Sequence, residues 1–152
     1  SGHSSKTSLS GPYISQGNLN NLSNTVYPFA FAFSCRSNAF EENECFGETW
    51  IRVKHGGVAY YGASHTTIMH VDRPFEKKLF INAWYKDNNE QLGPIIKTGM
   101  ERLCNNLWSV NYRKKYREMY NLIGDPSMTT AGIGCMNDYI FVKCESEVFL
   151  PY

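Results

Sequence analysis

A thiol at Cys35 and an imidazole at His3 are the side chains in this sequence best placed to do chemistry. Cys35 directly follows Pro28-Phe29-Ala30-Phe31-Ala32-Phe33-Ser34, a run that is apolar at nearly every position. Such a run reads as a strand buried on both faces, as in a parallel sheet covered by helices. Open α/β sheets place their sites at the carboxyl ends of strands, so Cys35 stands where a ligand can reach it. Position alone does not make a nucleophile, since a Cys in such a place is more often a small buried hydrophobe. A His so close to the first residue is, taken alone, more often an ordinary surface residue.

Other titratable clusters have plainer readings. Glu41, Glu42 and Glu44 crowd the stretch after Cys35 and read first as a solvated turn. A carboxylate there could pair with a basic substrate side chain or hold a structural calcium ion, although no pattern in the chain requires a cofactor. His65 and His70 stand five residues apart without a third ligand, a poor zinc signature. Arg113-Lys114-Lys115-Tyr116-Arg117 is basic with an aromatic interleaved. Tyr112, Tyr116, Met119 and Tyr120 fit a helical apolar stripe, so this run reads as the solvated face of a helix rather than a nucleic-acid surface.

The elements that must position Cys35 and His3 can be read from periodicity. Residues 1–13, rich in Ser, Gly and Pro, read as an ordered loop with sharp turns. Ser15 is a candidate N-cap for a short helix over 15–24, with Leu19 and Leu22 at helical spacing. Residues 44–54 carry Phe46, Trp50, Ile51 and Val53 on a helical period, with Cys45 inside as a packing residue. Gly56-Gly57 stops this helix in the manner of a C-cap. Val58 to Ser64 is a second buried strand, which completes a βαβ unit. Beyond a loop at 64–73, helices are expected over 74–86 and 93–111. Ile95, Ile96, Met100, Leu103, Leu107 and Trp108 form the apolar stripe of the second. Residues 120–126 close the helical region in a turn, and one further strand is expected over 139–144. Two parallel strands do not make a viable open sheet. The missing strands therefore lie upstream in the same precursor or come from a second chain.

Composition narrows the class. A chain of 152 residues suits one hydrophobic core. With 42% hydrophobic, 14% aromatic and 19% charged residues it has the make-up of a packed globular protein. Fifteen basic and fourteen acidic side chains leave a net charge of +1, so no bulk field draws it to nucleic acid or anionic membrane. The longest apolar stretch, residues 27–34, is far short of the roughly 20 residues that span a bilayer. Five cysteines, at 35, 45, 104, 135 and 144, form no C-x-x-C pair, and their odd number leaves at least one unpaired within the chain. Cys135 and Cys144 are near enough in sequence to be bridged across a turn or to remain free. No signal peptide is present, but the sequence opens at Ser1 without an initiator Met, so no compartment follows.

Five ordered blocks together resemble the gingipain family of cysteine peptidases, which share a caspase-like fold. Ser1-Gly2-His3-Ser4-Ser5 resembles the loop around that family's catalytic His, and Pro28 to Phe40 resembles its strand running into the nucleophilic Cys. Glu44-Cys45-Phe46-Gly47-Glu48-Thr49-Trp50 resembles the helix that follows, and Gly57 to Ser64 the next strand. Tyr120 to Met128 is similar to the closing motif of the peptidase domain.

The resemblance implies an α/β fold with an open, mostly parallel sheet and helices on both faces, of which only the C-terminal part is present. Residues 1–130 would be that part of the peptidase domain, and 131–152 a tail or the start of a following β segment. By the same resemblance Cys35 attacks the scissile carbonyl to form an acyl-enzyme, and His3 acts as general acid and base. Backbone N–H groups of Cys35 and Ser4 form the oxyanion hole. The family prefers Gly where Ser4 stands, so the chain departs from the pattern there. Ser64, His65, Met69 and His70, on the loop 64–72, are the implied substrate contacts, though ordinary loop residues would look the same. The implied function is a secreted or cell-surface endopeptidase acting on protein or peptide substrates, with cleavage after Arg or Lys. Two alternatives stand beside it: a catalytically silent relative serving in surface assembly, and a sortase-like transpeptidase.

Overall fold

The computed structural model describes residues 2–10 and 12–130, so the expected strand over 139–144 and the pairing of Cys135 with Cys144 lie outside the described residues. The opening segment is not a loop but a small antiparallel meander. It consists of β1 (His3–Ser4), β2 (Ser8–Ser10) and β3 (Ile14–Ser15), with His3 opposite Ser10 and Leu9 opposite Ile14. Strands of two and three serine-rich residues carry too little alternation to be legible in sequence. Helix α1 (Gln16–Leu19) follows at once. Ser15 caps it as expected: its Oγ accepts the Asn18 N–H while Asn18 Oδ1 accepts the Ser15 N–H. The helix is a single turn, shorter than the expected 15–24, and i→i−3 bonds from Asn21 and Leu22 tighten its end.

Next come β4 (Phe29–Ala32), α2 (Phe46–Arg52) and β5 (Ala59–Ala63), the expected βαβ unit. β4 and β5 run parallel, with Phe29 opposite Ala59 and Ala32 opposite Gly62. Cys45 sits not inside α2 but at its N-cap, where its backbone N–H donates to Glu48 at 2.7 Å. Gly56 and Gly57 do not end α2 through left-handed backbone, because Val53 already leaves the helix in extended geometry. They are needed for close approach: a Cβ on Gly56 would lie 1.9 Å from the Trp50 carbonyl oxygen, and one on Gly57 2.3 Å from that of Pro28.

α3 (Met69–Lys77) begins earlier than expected and passes into a π-helical segment (Lys78–Lys86). The helix expected over 93–111 divides into α4 (Leu92–Asn106) and α5 (Val110–Met119), because Leu107 turns extended and Ser109 caps α5 by accepting the Tyr112 N–H. Trp108, expected in the apolar stripe, lies in this break and is exposed. The segment expected as a closing turn instead starts with β6 (Tyr120–Ile123), antiparallel to β5.

The main sheet thus has the order β4-β5-β6, with one parallel and one antiparallel pairing. All of β5 is buried, whereas Phe29, Ala30 and Phe31 of β4 are half-buried, since no strand covers the other edge of β4 among the described residues. Helices cover both faces. Phe33, Tyr61 and Ala63 pack with Phe75, Leu79, Ile95, Leu103, Tyr116 and Tyr120 on one side. Ala32 and Tyr60 pack with Leu19, Phe46 and Val53 on the other. No helix among the described residues is long and apolar enough to cross a membrane.

Candidate active site

Cys35 lies just past the carboxyl end of β4, where the sequence placed it. The chain then turns sharply through Arg36, whose φ of 55° is in the left-handed region that few L-residues adopt. From there it folds over the ends of β5 and β6. The N–H groups of Arg36 and Asn38 donate to His65 and Ala63 carbonyls at 3.2 and 3.0 Å. Asn38 Nδ2 donates to the carbonyls of Gly62 (3.3 Å) and Asn121 (3.0 Å), one on each strand. A Cβ on Gly62 would approach Ser37 Oγ to 2.6 Å, so the loop depends on that glycine to lie flat against β5.

His3 arrives from the other sheet. The Gly2 N–H donates to the Phe33 carbonyl at 3.1 Å, and Ser4 Oγ donates to the carbonyl of Cys35 itself. These two bonds seat β1 beside the end of β4. As a result Gly2 and His3, Phe33 and Cys35, and Thr67, Met69 and Asp72 line one pocket. Cys35 is partly accessible and His3 exposed. Cys35 Sγ accepts the Thr67 N–H at 3.4 Å and lies 3.7 Å from Thr67 Oγ1.

Asp72 forms the buried floor, 2% exposed. Thr67 Oγ1 donates to its Oδ2, and the hydroxyls of Tyr116 and Tyr120 donate to Oδ1 at 3.2 and 2.8 Å. Burial raises the Asp72 pKa above the ordinary carboxylate range, while these three donors pull against it. Burial also raises the two tyrosines, with the charge of Asp72 adding to the shift.

The remaining candidates fall in different places. Met69 lines the pocket; Ser64, His65 and His70 are not among its lining residues. Ser64 is tied down instead, its N–H and Oγ both donating to the Met119 carbonyl at 2.7 and 3.1 Å. His65 is exposed and its Nδ1 accepts the Thr66 N–H, while His70 is exposed on α3. Glu41, Glu42 and Glu44 face Arg36, Lys6 and Arg52 respectively. The bond from Arg52 holds Glu44 below the ordinary carboxylate range. Among the described residues no three His, Cys, Asp or Glu side chains converge as a metal site would require. Cys45 and Cys104 are buried, and burial pushes the Cys45 thiol up to about 11. Cys35 is the one partly exposed thiol among the described residues.

Thr67 and Asp72 escaped the sequence reading as site residues. Ile68, Val71, Asp72, Phe75 and Leu79 follow a helical apolar stripe, and a carboxylate within such a stripe is a signal that it is buried and partnered.

The model for peptidase family C25 matches residues 1–131. The fold is similar to that of the Arg-specific cysteine proteinase gingipain R (RgpB), with a TM-score of 0.71 at 20% identity over 85% of this chain and 32% of that one. In the complex of Porphyromonas gingivalis RgpB pro- and mature domains, the TM-score is 0.73 at 22% identity, over 84% and 32% of the two chains. A third structure, of a protease, gives 0.71 at 22% identity over 85% and 34%. The chain spans about a third of the length of these solved structures. No curated protein sequence matches it. The solved structures establish the fold, and on the family match, which extends from before β1 to beyond β6, the chain belongs to peptidase family C25.

Proposed function

We propose that the protein containing this chain is a cysteine endopeptidase that uses Cys35 and His3. The observation that carries this reading is the shared pocket, which brings together a partly accessible thiol and an imidazole from two different sheets. Cys35 Sγ attacks the scissile carbonyl carbon as its proton passes to the His3 imidazole. Collapse of the tetrahedral intermediate breaks the C–N bond, and the imidazolium returns that proton to the departing amine. Water, deprotonated by His3, then hydrolyses the thioester. Backbone N–H groups of Cys35 and Ser4 are the proposed oxyanion donors. The Ser4 hydroxyl points to the Cys35 carbonyl, which ties β1 to the nucleophile loop and supports Ser in place of Gly at this position.

The preference proposed is for Arg or Lys before the cut, in line with the Arg-specific neighbour. Met69 contacts the substrate side chain, and the carboxylate that would receive its charge comes from elsewhere in the protein. Proteins or peptides are the substrates. The rest of the same precursor or a second chain covers the outer edge of β4, and the proposed location is secreted or cell-surface.

A thiol-directed peptidyl probe with Arg at its reactive end tests this on the full-length protein. Labelling at Cys35 is expected in the wild type and none in Cys35→Ala. A wild type that takes no probe would mark the chain as a binding module, and a ligated product formed with an added amine would mark a transpeptidase.

A further inference from the structure

The mechanism uses Cys35 and His3 but leaves a polar network beneath them without a role. Its centre is Asp72, whose carboxylate is met by hydroxyls from three elements: Thr67 in the loop before α3, Tyr116 on α5 and Tyr120 on β6. The Tyr116 hydroxyl also accepts the Ile68 N–H at 3.0 Å, which fixes the backbone next to Thr67. A threonine hydroxyl carries one proton. Because that proton is committed to Asp72, the lone pairs of Oγ1 are left facing Cys35 Sγ, 3.7 Å away. An S–H group can donate to those lone pairs, whereas a thiolate finds no donor there. The Thr67 carbonyl, 3.8 Å from the sulfur, acts in the same sense. Against both stands the Thr67 N–H at 3.4 Å, which favours the thiolate.

We propose that Asp72 is a positioning residue: by fixing the direction of the Thr67 hydroxyl it holds Cys35 as a thiol in the resting protein. The proposal rests on the reading of Cys35 as nucleophile and deepens it. Deprotonation then waits for His3, so that the S–H bond breaks as the N–H bond on the imidazole forms. The titratable groups around the network are Tyr116 from α5, Tyr120 from β6, Tyr61 from β5 against the Tyr120 ring, and Cys35 and His3 across the pocket. Tyr116 and Tyr120 are raised by burial and by the charge of Asp72, so they remain protonated donors throughout the range in which a thiol titrates.

The test is the pH dependence of Cys35 alkylation by iodoacetamide in the full-length protein, with the modified residue located by peptide mapping. In Asp72→Asn the retained oxygen still accepts both tyrosines. The new amide donates to Thr67 Oγ1 and turns its O–H toward the sulfur. The alkylation midpoint is expected to fall by about one unit, the scale of one hydrogen bond to a charged group. Thr67→Val, which removes the lone pairs and keeps the N–H, should lower it too, and Thr67→Ser should keep the wild-type midpoint. Adding Asp72→Asn to Thr67→Val should lower it no further.

A midpoint that stays or rises in both single variants overturns the proposal. So does an Asp72→Asn shift that persists beside Thr67→Val, since the carboxylate would then act through its charge alone. An altered residue preference before the cut in Asp72→Asn would overturn it as well, making Asp72 a specificity residue. If Asp72→Asn does not fold, the two Thr67 variants decide. Failure of the peptidyl probe to label wild type would remove the peptidase reading, while the alkylation midpoints would still report on Asp72 and Thr67.

Discussion

Replacing Asn38 by Ala removes a fully buried side chain from the turn that follows Cys35. Its Nδ2 serves two strands at once, donating to the Gly62 carbonyl on β5 and the Asn121 carbonyl on β6. Truncation takes the side-chain donor from both carbonyls, which stand opposite each other in the β5-β6 ladder, and the net contribution of such a bond is about 0.5–1.5 kcal/mol. The 3.3 Å bond to Gly62 is long and belongs at the low end, and the 3.0 Å bond to Asn121 is of ordinary length. Asn38 Oδ1 has no partner among the described residues, so deleting it relieves part of this cost. A net loss of about 1–2 kcal/mol follows. It should appear as a lower urea midpoint with an unchanged slope. The backbone N–H of residue 38 still holds Ala63, so the loop loosens without releasing, and turnover should fall about tenfold, equivalent to about 1.4 kcal/mol. Asn38→Asp keeps the shape but aims two carboxylate oxygens at two carbonyls. It should be worse than Ala at neutral pH. Burial raises the folded-state pKa of that new acid, so the part of its penalty due to charge vanishes below the unfolded value of about 4 and grows as pH rises, while the single O–H of the protonated acid still serves only one of the two carbonyls. Stability of Asn38→Ala within about 0.5 kcal/mol of wild type would refute the role given to this side chain.

Cys35→Ala should abolish peptide hydrolysis with an unchanged far-UV spectrum, and His3→Ala should lower turnover on the order of 10²–10⁴-fold in a steady-state assay. Gly57→Ala would push a Cβ to 2.1 Å from Trp50 Nε1 and 2.3 Å from the Pro28 carbonyl, costing about 1–3 kcal/mol in urea unfolding. Gly17→Ala, whose Cβ would meet nothing nearer than 3.6 Å, should be neutral or stabilising in the same assay. Asp72 has a folded-state pKa raised by burial above its unfolded value. Its contribution is therefore full below about pH 4 and is lost as pH rises through the folded value. Urea midpoints across pH should show Asp72→Asn gaining on wild type as pH increases through that window.

What was legible in the sequence tracks what carries a repeating pattern. The βαβ unit around Cys35 announces itself through a run of apolar residues, a helical stripe and a second apolar run, and the structure has all three. The Ser15 cap was legible because serine favours the N-cap and here stands ahead of Leu19 and Leu22 at helical spacing. β1, β2 and β3 were not, since strands of two or three residues are defined by their backbone pairing and are too short to show alternation. β6 was hidden because four residues ending at a glycine look the same in a turn as in a strand, and only its pairing with β5 decides. The break between α4 and α5 was missed because Leu107 and Trp108 continue the helical spacing of α4 even though the backbone leaves it.

The candidate site divides along the same line. Cys35 and His3 were singled out through their residue types and surroundings, but the contacts that bring them into one pocket join residues far apart in the chain, which no local pattern encodes. The β1-β2-β3 meander is held to the rest by the Gly2 and Phe46 N–H groups donating to the Phe33 and Lys6 carbonyls. Gln16 adds two bonds, from its Nε2 to the Glu44 carbonyl (2.9 Å) and Thr49 Oγ1 (2.7 Å). Leu9 and Ile14 supply the apolar contact, packing beside Leu19 and Phe46. His3 therefore takes its position from α2 and the end of β4, while Cys35 takes its own from β5 and β6 through Asn38. The thiol and the imidazole belong to separately anchored pieces of chain. The buried Thr67 and Asp72 pair lies on a third piece, fixed by α5 and β6, so the pocket is the place where three such pieces meet. Each was visible in the sequence only as far as its own local pattern extended.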